Sequence, residues 1–290
     1  MTARQKGILL MILSAFFFAV MQIAVSMCDS DIGVMEQIFF RNLISLLVSF
    51  VIIRKNHGSL WGEKKYQGAL LMRAFMGWIG LVLSFYALRH ATQADVTILN
   101  KTSPFFITIL SAVFLKEKFS KVQIPALILV FLSALLVSRP TFDSSFLPLL
   151  AAFGSAAASA VAYTLLRYFK EKVDGMTVIM YFSTFSTLVS LPFMLFDHFQ
   201  IPELKQLFLL LLVGIFGSLG QIALTYSYRL VKAAEVSIYN QTGIVFSILL
   251  GFFVLGEIPH PLSVLGGFII IGASYLVYAY NRNEQDTADE

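Results

Sequence analysis

The chain has 290 residues, of which 58% are hydrophobic and only 13% are charged. The charged share is about half of that in a soluble globular domain, so too few charged side chains are present to cover a soluble protein of this length. The composition therefore excludes an ordinary soluble domain and predicts a protein whose surface lies in lipid. Cys28 is the only cysteine, which excludes an intrachain disulfide and a cysteine-based metal cluster.

Apolar runs bounded by charges, proline or polar clusters recur along the chain. A bilayer core about 30 Å thick requires about 20 residues of helix, so each run predicts one transmembrane helix. The predicted helices are 7–27, 33–53, 67–88, 94–115, 121–138, 146–168, 174–196, 206–228, 233–255 and 262–280. The runs lack the strict polar and apolar alternation of outer-membrane strands. We therefore predict an all-α integral membrane protein with about ten transmembrane helices.

The basic residues indicate the orientation of the chain in the membrane. With a cytoplasmic N-terminus, fifteen of the 21 Lys and Arg residues fall in cytoplasmic connectors, three fall outside and three lie within predicted helices. Because basic residues resist translocation during insertion, both termini are predicted to be cytoplasmic, with 281–290 as a cytoplasmic tail. The basic charge lies next to hydrophobic helices, so membrane lipids and not nucleic acid are the expected partners.

The chain contains an internal repeat. A shift of 140 positions aligns residues 94–102 with 234–242, and five of the nine positions are identical. The same shift pairs Glu117 with Glu257. Because each half contains an odd number of predicted helices, the second half is expected to be inverted relative to the first, as in many secondary transporters. This architecture predicts a substrate site near the middle of the membrane.

Several short sequence motifs lie within the predicted helices, and some of them occupy matching positions in the two halves of the chain. They are Phe40-Arg41, Arg73-Ala74, Phe85 to Leu88, Ala94 to Thr102 followed by Pro104, Leu115 to Glu117 and Leu255 to Glu257. With these residues the chain resembles the drug/metabolite transporter superfamily, specifically EamA-type transporters with two tandem five-helix repeats. The resemblance implies repeats at 7–138 and 146–280, and secondary-active movement of a small organic solute across the cytoplasmic membrane.

Ionisable residues within the hydrocarbon are costly unless they are paired or hydrated, so they are the strongest functional candidates. These residues are Glu36, Arg41, Arg73 and Lys101. Lys101 adjoins Asn100 and precedes Pro104, which removes a backbone donor and loosens the helix. An ammonium, an amide and a freed carbonyl suit a polar or anionic substrate group, so Lys101 is the leading substrate contact. A structural Lys101 with a glutamate partner is the alternative.

The other three ionisable residues have different expected roles. Arg41 lies eight residues into its predicted helix and is expected to face a substrate cavity, or to be structural and tied to backbone carbonyls or to Glu36. Arg73 can still reach the headgroups, which favours a structural or gating role. Glu36 is expected to carry a coupling proton or to form a salt bridge with Lys101 or Arg41.

Uncharged polar side chains extend the candidate site, because positions facing lipid do not favour them, although interhelical hydrogen bonds explain some of them. The remaining substrate-binding candidates are Asn100, Asn240, Gln241, Tyr239 and Gln221, with Gln22 as a further cavity-facing group. Tyr226 joins Glu36 and Arg73 as a coupling or gating candidate. Glycines 266, 267 and 272 permit close helix contact and are candidates for a homodimer interface.

The basic surplus within the predicted helices favours a zwitterionic or anionic solute, such as an amino acid or a vitamin- or nucleotide-like metabolite, carried by alternating access. An exporter of organic cations or drugs, in which Glu36 dominates, is the alternative. A membrane-embedded enzyme is disfavoured because the histidines fall in connectors or at helix ends. A channel is disfavoured because an inverted repeat favours alternating access. We expect no cofactor and no bound metal.

Overall fold

The computed structural model describes residues 2–28, 32–103, 105–107, 109–110, 122–138, 146–169, 172–196, 199, 201–230 and 239–286. Its helices are α1 (Ala3–Met27), α2 (Val34–Lys55), α3 (Gln67–His90), α4 (Gln93–Asn100), α5 (Gln123–Ser138), α6 (Phe146–Tyr168), α7 (Gly175–Phe196), α8 (Leu204–Leu230), α9 (Thr242–Leu250) and α10 (Pro261–Asp286). A π-helical turn, Gly251–Leu255, continues α9. No strand occurs among the described residues, as the all-α prediction requires.

Six of the helices in the described part of the chain are long and apolar enough to cross a membrane, namely α1, α2, α3, α6, α7 and α8. Large apolar side chains such as Leu47, Phe75 and Leu188 are exposed on their outer faces, as contact with lipid tails requires. The apolar stretches of other helices in the described part of the chain are shorter, namely Ile124–Ala134, Thr242–Leu255 and Pro261–Leu276. The ten-helix count and the cytoplasmic location of both termini therefore stay predictions.

The ends of α1 and α10 extend beyond the predicted spans because polar residues continue the helix. α1 begins at Ala3 and not at residue 7, since Thr2 Oγ1 accepts a hydrogen bond from the Gln5 N–H and the Gln5 side chain accepts one from the Thr2 N–H. α10 continues to Asp286, so part of the predicted tail at 281–290 is helical. Glu117 and Pro104, which were singled out in the sequence, lie outside the described residues.

The helices pair in a pattern that is preserved when the two halves of the chain are exchanged. α1 packs along α8, and α6, its counterpart in the second half, packs along α3. α2 packs on its counterpart α7, and α5 packs on its counterpart α10. α1 also contacts α9, as α6 contacts α4. This is the pattern expected of two similar halves related by a twofold axis, while their opposite orientation in the membrane stays a prediction.

Two of the three glycines considered for a homodimer face other helices of the same chain. A Cβ atom at Gly266 would meet the Ser133 hydroxyl oxygen of α5 at 3.1 Å, and one at Gly267 would meet Ile244 of α9 at 3.3 Å. A Cβ atom at Gly272 would meet nothing within 4 Å. Gly266 and Gly267 therefore serve packing within the chain, which leaves Gly272 as the open position of the three.

Gly214 allows α2 and α8 to approach closely. Ile44 of α2 lies directly over Gly214, and a Cβ atom at Gly214 would come within 2.9 Å of Ile44 Cγ1. One turn further along α8, Ser218 Oγ is hydrogen-bonded to Ser45 Oγ at 2.6 Å. The contact between the two helices therefore requires a residue without a side chain at position 214.

Gly214→Val is expected to lower the thermal unfolding temperature of the purified protein by about 5 °C, because the added side chain must displace Ile44 and overpack the interface by roughly 2 kcal/mol. Gly272→Val is the matched control, since a Cβ atom there meets nothing within 4 Å. Equal unfolding temperatures for the two variants would contradict the prediction.

Candidate functional site

Two helices are interrupted at places that lie 140 residues apart in the chain. After α4, Lys101 and Thr102 form a turn before the helical path resumes. In the second half, a turn at Gln241 precedes α9. The helices predicted over 94–115 and 233–255 are each broken at this point. The predicted loosening of the first helix by Pro104 concerns a residue that lies outside the described part of the chain.

A threonine hydroxyl stabilises each break in the same way. Thr102 Oγ1 donates to the carbonyl oxygen of Leu99, and Thr242 Oγ1 donates to that of Tyr239, both at 2.7 Å. The Thr102 N–H also donates to the Leu99 carbonyl at 3.0 Å, a bond that spans three residues as in a 3₁₀ turn. Interrupted helices near the middle of the membrane are the places where secondary transporters expose backbone groups to substrates and ions.

A cavity of about 140 Å³ lies beside the first break. It is large enough for a small organic solute or about five water molecules. Seven helices, α1 to α4 and α6 to α8, contribute side chains to its lining. The predicted site residues that the structure brings together there are Arg41, Arg73, Asn100, Lys101, Gln221 and Asn240. Gln22, the further polar candidate, also lines this cavity.

The Lys101 side chain reaches from the first break to the second. Its Nζ donates to Asn240 Oδ1 at 2.7 Å. It passes over Gly243, where a Cβ atom would lie 2.9 Å from both Lys101 Cε and Lys101 Nζ. Among the described residues, Lys101 forms no ion pair with a carboxylate. The glutamate partner considered for a structural lysine is therefore not found in the described part of the chain.

Gly243→Ala is expected to slow transport about tenfold or more and to lower the thermal unfolding temperature by a few degrees. The added methyl group would occupy the path of the flexible lysine side chain and separate the ammonium of Lys101 from Asn240, a charge-assisted hydrogen bond of about 1.5–3 kcal/mol. Flux into liposomes and the thermal unfolding temperature measure the two effects. Gly68→Ala is the control, since a Cβ atom at Gly68 meets nothing within 4 Å. Unchanged flux would show that transport does not need this contact.

Arg41 and Arg73 enter the cavity from α2 and α3 and meet at the ring of Phe182 in α7. Their guanidinium carbons lie 5.9 and 4.2 Å from the ring centroid, and each residue is only 2% exposed. Arg41 donates to Asn42 Oδ1 at 3.2 Å and from Nε to Met21 Sδ at 3.4 Å. Arg73 Nε and Nη1 have no hydrogen-bond partner among the described residues. Arg73 therefore has two buried N–H donors that no protein group in the described part of the chain satisfies.

Glycines make room for both arginines. A Cβ atom at Gly217 of α8 would lie 3.0 Å from Arg41 Nε, and one at Gly77 of α3 would lie 3.0 Å from the Phe182 ring and 3.4 Å from Arg73 Nη1. Arg73 is thereby directed into the cavity and not toward the headgroups. Its sequence position, about two turns inside the helix, did not indicate this direction, which depends on the neighbouring helix α7.

Three predicted site residues lie away from the cavity lining. Gln241 donates from Nε2 to Ser274 Oγ of α10 at 3.0 Å, although its counterpart Lys101 faces the cavity. Tyr239 packs against an apolar cluster formed by Met11 and Leu224. Tyr226 packs against a third cluster that includes buried residues of α2 and α7. In this structure these side chains stabilise helix contacts.

Glu36 also lies outside the cavity lining. It is buried in the first turn of α2, where a carboxylate is favoured by the positive end of the helix dipole. Glu36 Oε1 has no hydrogen-bond partner among the described residues, and no salt bridge joins it to Lys101 or Arg41 there. The salt-bridge alternative for Glu36 is therefore absent from the described part of the chain, and its coupling role stays a prediction.

Comparison with known proteins identifies the family. A family model described as the EamA-like transporter family matches residues 5–139 and 146–279. The chain belongs to this family. The resemblance to the drug/metabolite transporter superfamily is thereby confirmed.

Named relatives of this EamA-like protein are transporters. The pseudopaline exporter CntI of Pseudomonas aeruginosa is 32% identical over 93% of this chain and 94% of its own. Human solute carrier family 35 member G1 is 26% identical over 92% of this chain and 77% of its own. A solved structure with 17% identity and a TM-score of 0.68, which covers 97% of this chain and 98% of that one, has the same fold. The protein is a multi-pass membrane transporter, and this membership argues against an enzyme.

Some cavity residues of this EamA-like transporter were not singled out from the sequence. They are Phe182, Tyr163, Ser84, Ser155 and Ser159. The sequence could have indicated part of this set, since polar side chains at positions 155, 159 and 163 are four residues apart and share one face of α6. Ser155 Oγ donates to the Gly80 carbonyl at 2.7 Å, which fixes that face against α3. No comparable pattern marks Phe182 among the 28 phenylalanines.

Glu257 joins the end of the π-helical turn to the beginning of α4. Its Oε2 accepts a hydrogen bond from the Gln93 N–H at 2.9 Å, at the helix terminus that favours an anion. Glu257 lies in the connector before α10, outside the membrane-spanning segments. Burial raises the pKa of Glu257, and the hydrogen bond from Gln93 lowers it less. The contact ties the end of the π-helical turn to the N-terminus of α4.

Glu257→Gln is expected to raise the thermal unfolding temperature at pH 7, because Gln can still accept the Gln93 hydrogen bond without burying a charge. A raised pKa in the folded state means that Glu257 favours folding fully below its unfolded pKa near 4.5 and loses that contribution as the pH rises through the folded pKa. The advantage of the variant should therefore shrink between pH 7 and pH 4. Unfolding curves at several pH values test this, with the exposed Glu203→Gln as control. A difference that does not vary with pH would contradict it.

Proposed function

We propose that this protein is a secondary-active transporter that moves a small organic anion across the cytoplasmic membrane by alternating access. The observation that supports the proposal is that three basic side chains line one cavity, while its lining within the described residues includes no acidic side chain. The three are Arg41, Arg73 and Lys101.

The electrostatics of this cavity favour an anion. A buried cation without a counter-ion is costly in the low-dielectric interior, so the bound solute would supply the missing negative charge. A zwitterion supplies one carboxylate but brings an ammonium group for which the described lining offers no acid. An organic cation would add a fourth positive charge, and Glu36, the carboxylate that such a substrate would need, does not line the cavity.

Alternating access is supported by the two interrupted helices and by the exchangeable pairing of the halves. When two similar halves exchange their conformations, an opening moves from one side of the membrane to the other while the site stays in place. The contact between Glu257 and the start of α4 would serve as a gate that opens in one of the two states. Export is the favoured direction, because a relative that covers nearly the whole chain is named an exporter.

The first test is a thermal-shift screen of the purified protein, followed by flux measurements in liposomes. The panel contains mono- and dicarboxylates, amino acids, nucleotide-like metabolites and organic cations, at two pH values and with or without a proton gradient. We expect carboxylates to raise the unfolding temperature and to be transported, and Lys101→Ala to weaken both effects. Signals from organic cations alone that persist in Lys101→Ala would overturn the proposal and make Glu36 the residue to test.

A further inference from the structure

We propose that the cavity binds a solute with at least two anionic groups, one held by Arg41 and Arg73 and the other by Lys101 and Asn240. This inference rests on the proposed function and specifies its substrate class. It depends on where the three cations lie along the cavity, and not on their number alone.

The first anionic group would bind at the Phe182 ring. The two guanidinium groups lie within about 10 Å of each other, the largest separation that distances of 5.9 and 4.2 Å from one ring centroid allow. Arg73 keeps Nε and Nη1 without partners among the described residues. Arg41 uses its Nη1 and Nε on Asn42 and Met21, both uncharged groups. A planar carboxylate or a phosphate matches the paired donors of a guanidinium group.

The second anionic group would bind at the break after α4. Lys101 Nζ uses one of its three donors on Asn240 Oδ1 at 2.7 Å, which leaves two N–H donors for a ligand. Asn100 of the same turn donates to Ser84 Oγ of α3 at 3.1 Å and thereby fixes the turn against α3. Lys101, Asn100, Asn240 and Ser84 all line the cavity.

The two binding places lie at different depths. Ser84 and Arg73 both belong to α3 and are eleven residues apart, which corresponds to about 16 Å of helix. The break after α4 is tied to Ser84, whereas the Phe182 ring is tied to Arg73. α4 begins three residues after α3 ends, so the break after α4 and the position of Arg73 can both be measured from the C-terminal end of α3. The cavity therefore has two cationic ends, which we call the lysine end and the arginine end.

Charge balance selects a multiply charged solute over a singly charged one. A monoanion can neutralise the lysine end or the arginine end, but it leaves the other end with buried, uncompensated positive charge. A solute with two or three negative charges neutralises both ends at once. Its two anionic groups also bind as linked groups, so the second contact forms without a further loss of translational freedom.

The test uses straight-chain dicarboxylates of graded length, from malonate to suberate, together with tricarballylate. Butyrate is the singly charged probe and alanine the zwitterionic one. Binding affinity is measured by titration calorimetry, and flux is measured in liposomes. In the wild-type protein we expect the best dicarboxylate to bind at least tenfold more tightly than butyrate. In Lys101→Gln and in Arg73→Gln this ratio should fall to near one, while butyrate binding persists at the unaltered end.

The control variant is Arg54→Gln, which removes an exposed arginine that stacks on Phe50 away from the cavity. It should leave the ratio unchanged. Arg73→Lys keeps the positive charge and should keep most of the preference, which distinguishes loss of binding from loss of folding. Thermal unfolding curves of every variant verify the fold.

A dicarboxylate preference that neither Lys101→Gln nor Arg73→Gln changes would overturn this inference. Monoanions that bind and are transported as well as dicarboxylates would also overturn it, while leaving an anion transporter in place. Absence of binding by every anion in the series would overturn the proposed function as well.

Discussion

Lys101→Ala is expected to reduce transport on the order of 100-fold without lowering the unfolding temperature. The ammonium of Lys101 would form a charge-assisted hydrogen bond with an anionic substrate in a buried site, and loss of about 3 kcal/mol of such binding corresponds to roughly two orders of magnitude. The folded protein, by contrast, loses a buried cation whose described partner is the neutral Asn240. Removal of that cation relieves a desolvation cost, so stability should hold or increase.

The measurement pairs flux in liposomes with thermal unfolding of the same preparation. Lys65→Ala is the matched control, since Lys65 is exposed and its ammonium pairs with Glu63 at 2.7 Å. An exposed pair of this kind contributes little to stability, so the control should resemble the wild type in both measurements. Transport by Lys101→Ala at half the wild-type rate or more would remove Lys101 from the substrate site.

Arg73→Gln is expected to produce the second large loss, again about 100-fold in transport, together with an equal or higher unfolding temperature. Arg73 is buried, stacks on Phe182, and keeps two nitrogen donors without partners in the described part of the chain. An arginine that served only to stabilise the fold would be expected to use those donors on neighbouring protein groups. The combination of lost function with retained stability therefore distinguishes a binding role from a structural one.

Arg54→Gln provides the comparison for Arg73→Gln, because its guanidinium carbon also lies over a phenylalanine ring, 5.3 Å from the Phe50 centroid, but at an exposed position. We expect normal flux for this variant. A fall in the unfolding temperature of Arg73→Gln by several degrees, with flux reduced only in proportion to folded protein, would assign Arg73 to structure.

Lys101 also shows how the two halves of the chain differ. The breaks after α4 and before α9 share the threonine hydrogen bond and the asparagine, but Lys101 crosses to Asn240 while its counterpart Gln241 turns toward Ser274. Gly243 permits that crossing. In the proposed function, the repeat would supply two mobile halves of similar construction, and the charge that recognises the substrate would lie in the first half.

Membrane location and the internal repeat follow from the sequence alone, and the sequence also makes Lys101 the leading candidate for a substrate contact. Apolar length is a local property, and a bilayer imposes it on each helix separately. The shift that pairs the two halves is likewise visible in the residues themselves. Lys101 and Arg41 were found because a charge within an apolar run is costly and needs a local reason to be there.

The tertiary structure decided which residues line the cavity. Arg73 and Glu36 are both ionisable residues near helix ends, and the sequence did not show that Arg73 would line the cavity while Glu36 would not. Which way a side chain points depends on how its helix is rotated and on which residues of other helices leave room, as Gly77 and Phe182 do for Arg73. Those contacts join residues far apart in the chain, and in a helix that is apolar on all sides no hydrophobic face reveals the rotation. The sequence therefore determined which groups are available to a substrate site, and the packing of the helices decided which of them meet.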